Sequence, residues 1–162
     1  MRSPVRILVL AALALGCERP EVTLSPAHAA AIRDSIGATL AAYRAASAAG
    51  QWDSVLTFYA DDPYLRWVEE GKVAADSLAD FRREFAGLPA GLRIETEYAG
   101  MVIAPLAPGA ASVVTGFNTR FVDSTGTRFS FGGTMTVVMV HRGARWQLLT
   151  GHSSVPANRA TP

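Results

Sequence analysis

The sequence predicts an α+β domain, with N-terminal helices and a curved antiparallel sheet wrapped around them as a cone. Three observations predict it. Apolar residues recur at Ala29, Ile32, Ile36, Leu40 and Tyr43, a single stripe along one long helix. From Leu92 onward the period falls to two, and turn sequences separate the alternating stretches. Gly116, Gly132 and Gly133 interrupt those stretches, where glycine marks a bulge or a sharp bend, and a bent sheet closes around a helix as a cone.

The chain opens on an export signal. Arg2 and Arg6 precede a nine-residue apolar run from Ile7 to Leu15, and the small Gly16 precedes Cys17. The run is too short for a membrane-spanning helix, which needs about 20 residues. Leu13-Ala14-Leu15-Gly16-Cys17 resembles a bacterial lipobox, in which the cysteine is lipidated and becomes the first mature residue. Cys17 is the only cysteine of 162 residues, so it has no disulfide partner within the chain. The alternative is a soluble exported protein with Cys17 beside the cleavage site by chance. On the lipoprotein reading, Glu18 stands where aspartate would mark inner-membrane retention, which favours the outer membrane of the cell envelope.

Residues 1–16 are thus read as signal peptide, 17–25 as the lipidated cysteine and its tether, 26–155 as one domain, and 156–162 as a disordered tail. Loss of the signal leaves 146 residues with 13 basic against 14 acidic groups, a near-neutral domain with room for a real core. The basic residues are scattered, so no stripe for nucleic acid is present.

Within the domain, Ser25-Pro26 is a strong helix start, because serine caps free backbone donors and proline loses nothing in the first turn. This helix should run to about Ala48 and stop at Gly50. Trp52, Val55, Leu56 and Tyr59 predict a short second helix over 53–59, ended by Asp61-Asp62-Pro63. Residues 64–69 alternate as a strand, with Leu65, Trp67 and Glu69 on one face, before a turn at Glu70-Gly71-Lys72. Asp76 is placed to cap a third helix that buries Leu78, Phe81 and Phe85 and stops at Gly87.

The later strands are expected at residues 92–103, 111–122, 127–141 and 145–154. Asp123-Ser124-Thr125-Gly126 and Arg142-Gly143-Ala144 are hairpin connections between antiparallel neighbours. Val113, Phe117, Phe121, Phe129, Phe131, Met135, Val137 and Met139 share one face. Asn118, Arg120, Arg128, Ser130, Thr134 and Thr136 share the other, which is left for water or a second subunit.

Two local patterns add a resemblance. Gln51-Trp52-Asp53 through Phe58-Tyr59-Ala60-Asp61-Asp62, and Arg145-Trp146-Gln147-Leu148-Leu149 followed by His152-Ser153-Ser154, resemble the nuclear transport factor two-like superfamily. The resemblance is to its SnoaL-like and ketosteroid-isomerase-like bacterial branches, covers nearly all of residues 26–155, and implies a homodimer. The scaffold hosts enzymes, binding modules and oligomerisation domains, so it does not fix a function. In the isomerase branch an aspartate base follows the second helix; Trp67 stands at that place, so that chemistry is not carried over. Where the related kinase association domains carry pocket arginines, this chain has Phe117 and Val137.

The implied pocket is apolar, lined by Tyr59, Trp67, Tyr98, Phe117, Phe131, Met135, Val137 and Trp146. It suits a small apolar ligand if open, and is core if filled. Two groups are candidates for proton transfer. Glu69 would reach the pocket mouth beside Trp67, and His152 lies on the final strand with an imidazole that titrates near neutrality. His152 reads equally as a ligand hydrogen-bonder or a rim residue. His28, His141 and His152 are far apart and no ligand-spaced cluster or phosphate loop is present, so no metal or cofactor is expected. Three functions remain open: a lipid-anchored module binding a small apolar molecule or a partner, a cofactor-free isomerase, cyclase or dehydratase using His152 or Glu69, and a dimeric structural module with a filled cone.

Overall fold

The computed structural model describes residues 23–156. The export signal, Cys17, most of the tether and the tail from 157 lie outside the described residues. Helix α1 (Pro26–Ala48) begins where the Ser25 hydroxyl accepts a hydrogen bond from the His28 amide at 3.2 Å, and the chain turns away at Gly50 with φ +65°. Ile32, Ile36 and Leu40 are its buried stripe.

Helix α2 (Trp52–Leu56) is shorter than expected and starts one residue earlier, so Asp53 lies in its first turn and does not cap it. The chain is then captured by the final strand. Ala60 N donates to Leu148 O, Leu148 N donates to Phe58 O, and the Gln147 amide reaches the carbonyls of Thr57 and Tyr59. The amides of Thr57, Phe58 and Tyr59 still donate to carbonyls three residues back, but the carbonyls of 57–59 are taken by the final strand, so the helix cannot continue past them. Helix α3 (Leu78–Ala86) is capped by Ser77, with Asp76 just before it. Ser77 Oγ accepts from Asp80 N, and the Asp80 carboxylate reaches back to Ser77 Oγ and Asp76 N.

Six strands make one mixed sheet in the order β2-β1-β6-β5-β4-β3. They are β1 (Arg66–Glu69), β2 (Lys72–Ala75), β3 (Arg93–Ala107), β4 (Ala110–Asp123), β5 (Gly126–Arg142) and β6 (Arg145–Ser154). Hairpins join β3, β4, β5 and β6 as antiparallel neighbours, while β1 pairs β6 in parallel, which departs from a purely antiparallel sheet. Strand β2 was not anticipated, because Lys72-Val73-Ala74-Ala75 has almost no alternation. It exists because Glu70 and Gly71, with φ +47° and +76°, make a two-residue turn of the type that folds strands back on themselves.

Glycine sets the closest approaches. A methyl group on Gly133 would lie 2.0 Å from Ser154 O, and one on Gly151 would lie 2.0 Å from Cζ3 of Trp67. Trp67 and Gly151 are cross-strand partners at the parallel seam, so the indole lies directly on the bare backbone. The core joins α1 to the concave face of the sheet through Val113, Val137, Met139, Trp146 and Leu148, all buried. Phe129, expected on that face among the core residues, is 53% exposed at the end of the sheet. The convex face is not uniformly polar, since Val102 and Val114, which pair across β3 and β4, are exposed there at 62% and 42%.

Two glycines predict opposite outcomes. Gly151→Ala forces the Trp67 ring aside and should destabilise by about 1–3 kcal/mol, as overpacking does. Gly37→Ala, in mid-helix with open space around it, should stabilise by about 0.5–1 kcal/mol. Urea denaturation of the two variants checks both, and equal effects would contradict the packing described.

Candidate functional site

The cone is filled at one end and open at the other. Trp146 is buried against the middle of α1 and Val137 is fully buried, so these two expected lining residues instead plug the closed end. Beyond them a cavity of about 200 Å³ remains. Tyr59, Trp67, Tyr98, Phe117, Phe131 and Met135 line it, as does Glu69.

His152 is not among the lining residues. Strand β6 turns Trp146 and Leu148 inward, then carries one extra residue, Leu149, opposite the Val138–Met139 step of β5. A single added residue moves every later side chain to the other face. Ser153 therefore lines the cavity, and His152 stands exposed on the convex face between Val68 and Thr136.

Sequence reasoning did not single out two lining residues of chemical interest. Tyr43 ends the apolar stripe of α1, and Glu84 lies one turn past Phe81 and beside Phe85 on α3. Their positions on those stripes were the available signal. The phenol oxygens of Tyr43 and Tyr59 are 3.0 Å apart, a hydrogen-bonded pair inside the apolar wall. Burial pushes both phenols above their ordinary range, for Tyr59 by a wide margin with its partner phenol adding to it. Tyr98 is raised for the same first reason, partly offset by Arg44, whose guanidinium lies over its ring at 5.3 Å. All three phenols keep their protons, so they are hydrogen-bond donors and not bases.

Aromatic rings meet at steep angles around this space. Tyr59 and Phe81 are stacked with centroids 4.0 Å apart, and Trp67 stands edge-on to both. Phe117 stands edge-on to Phe131. The Trp67 indole N–H donates to Glu69 Oε1 at 2.9 Å, which fixes that carboxylate at the ring edge. The Glu84 carboxyl is pushed up, first by partial burial and then by the charge of Glu69. A carboxylate pair on an aromatic cavity can accept a proton, hold a donor, or attract positive charge. Among the described residues, no group of three or more His, Cys, Asp or Glu side chains is placed to hold a metal ion. Asp62 belongs to a turn, where it accepts from Tyr64 N and pairs with Arg142 at 2.8 Å.

No protein-family model matches the sequence, and no curated protein sequence matches it either. Solved structures do match in shape. An NTF-2 like protein of unknown function from Shewanella oneidensis MR-1 is 20% identical, with a TM-score of 0.64 over 76% of this chain and 98% of its own. A nuclear transport factor 2 (NTF2-like) superfamily protein from Salmonella enterica serovar Typhimurium LT2 is 11% identical, with a TM-score of 0.66 over 82% and 96%. A ketosteroid isomerase-like protein from Erwinia carotovora atroseptica SCRI1043 is 15% identical, with a TM-score of 0.59 over 76% and 95%. The chain thus has the nuclear transport factor 2-like fold, and at these identities the likeness speaks for architecture alone.

Proposed function

We propose that the protein is a lipid-anchored lipoprotein of the bacterial cell envelope, held at the outer membrane through Cys17, whose cone binds a small, largely apolar molecule. One observation carries the binding reading: the closed end of the cone is packed by Trp146 and Val137, yet about 200 Å³ beside Trp67 and Phe117 is left open. A well-packed interior leaves few voids larger than a water molecule, and an apolar cavity of about 150 Å³ is known to take a benzene ring. The phenol pair supplies a donor for one polar group of the guest. The exposed valines and threonines of the convex face support a homodimer through that face.

The Tyr43–Tyr59 pair and the two carboxylates favour a second reading, a cofactor-free proton transfer such as isomerisation or dehydration. In it Glu69 takes the proton and the phenols polarise an oxygen. His152, exposed on the other face, has no part in it.

Phe117→Trp should fill the cavity. Calorimetric titration with indole as probe is expected to show binding weakened at least about tenfold, because the added ring occupies the guest's space. Unchanged affinity would remove the cone as the site. Cys17→Ala is expected to abolish labelling by a fatty-acid analogue and to give a soluble dimer by light scattering; retained label would refute the anchor, and a monomer at high concentration would refute the dimer.

Glu84 makes a pH prediction. A carboxyl raised on folding favours the folded state while protonated, and that contribution is lost as pH rises through the folded value. Glu84→Gln should therefore raise Tm relative to the parent near pH 8, and the difference should shrink as pH falls below the ordinary carboxylate range and Glu84 becomes neutral like glutamine. An equal Tm difference at high and low pH would contradict a Glu84 carboxyl raised by burial and by the charge of Glu69.

A further inference from the structure

Resting on the reading of the cone as a small-molecule site, we propose that its guest is an organic cation, an amine or quaternary ammonium group carried on an apolar body. Among the described residues, Glu69 and Glu84 are the lining residues with a formal charge, and no lysine, arginine or histidine lines the cavity. Acids elsewhere on the domain divide into paired and unpaired. Asp62, Asp80, Glu95, Glu97 and Asp123 each have an arginine within 4 Å. Among the described residues, no ion pair reaches Glu69 or Glu84. Asp34, Asp53, Asp61, Glu70 and Asp76 also lack an ion pair among the described residues, so what distinguishes Glu69 and Glu84 is their place together on an aromatic cavity.

Trp67 stands perpendicular to the stacked pair Tyr59 and Phe81, Phe117 stands perpendicular to Phe131, and ring faces carry the negative end of the aromatic quadrupole. Box-like aromatic walls attract cations that are poorly hydrated, which describes an alkylammonium better than a metal ion. Tyr98 already holds a cation against its ring, the guanidinium of Arg44, from outside the lining. An anionic guest would meet two carboxylates with no cation among the described lining residues to offset them, since Arg44 lies behind Tyr98. A neutral guest would leave their repulsion in place, whereas an ammonium relieves it. Glu84, raised partly by the charge of Glu69, is consistent with that unbalanced field. The volume of about 200 Å³ suits one ring with a small charged head.

Phenyltrimethylammonium and tert-butylbenzene test this, since they share one shape and differ in charge. Calorimetric titration of the full chain is expected to show the cation binding at least about tenfold tighter. The double change Glu69→Gln with Glu84→Gln should bring the two probes within about threefold of each other. Binding of tert-butylbenzene should stay unchanged, which reports an intact cone. Equal or tighter binding of tert-butylbenzene to the parent chain would overturn the cation reading and leave the cone as an apolar site. Binding of neither probe would overturn both.

Discussion

The aromatic wall of the cone depends on a single close contact, the indole of Trp67 lying on Gly151 across the parallel seam between β1 and β6. Any side chain at 151 would occupy the volume of the indole. Strand β1 has four residues and is tied to the main sheet only by its pairing with β6. Main-chain bonds alone set its position loosely, and the tryptophan fixes it. Once the ring is seated, Tyr59 and Phe81 pack against it at right angles, and its N–H holds Glu69 at the cavity mouth. Glycine at 151, tryptophan at 67 and glutamate at 69 are therefore one device, although the first is 84 residues from the second in the chain.

The same seam marks the limit of what the sequence made legible. Helix α1, the four long strands and the inward set from Val113 to Met139 follow from local periodicity, because each burial choice is repeated several times along its element. Strand β2 and the shortened α2 follow from tertiary hydrogen bonds that no local pattern contains. The site divides along the same line. Trp67 and Glu69 share a face by simple alternation and both reach the cavity. His152 and Ser153 are separated from the alternation of Trp146 and Leu148 by Leu149, and nothing in Leu148-Leu149-Thr150 announces that one of them is unpaired. A bulge is a property of two strands, so its effect on His152 became visible only when β5 was placed beside β6. Phe129 fails for a different reason. It has the right parity, but it stacks on Phe121 and Phe131 at the end of the sheet and stays half-exposed there.

Burial acts on the two kinds of acid in the cone in opposite functional senses. It raises the phenols of Tyr43, Tyr59 and Tyr98 away from neutrality, so these groups are locked as donors and cannot respond to pH. It raises the carboxyl of Glu84 toward neutrality, which brings that group closer to the range where a proton can be exchanged. The interior thus has fixed donors in its wall and adjustable charge at its rim. One phenol of the Tyr43–Tyr59 pair donates to the other, which leaves the second O–H as a donor, and among the described residues no buried side-chain polar atom is left without a partner, so the wall itself demands no guest. On the proposed reading the attraction comes from the rim, where the exposed Glu69 accepts from the Trp67 indole and Glu84 is raised first by partial burial and then by the charge of Glu69. A neutral hydrogen bond offsets only part of a carboxylate's charge. On the proposed reading, a cationic guest seated against the aromatic lining would meet what remains of that charge in surroundings less polar than open water, where the attraction is stronger than on a flat surface.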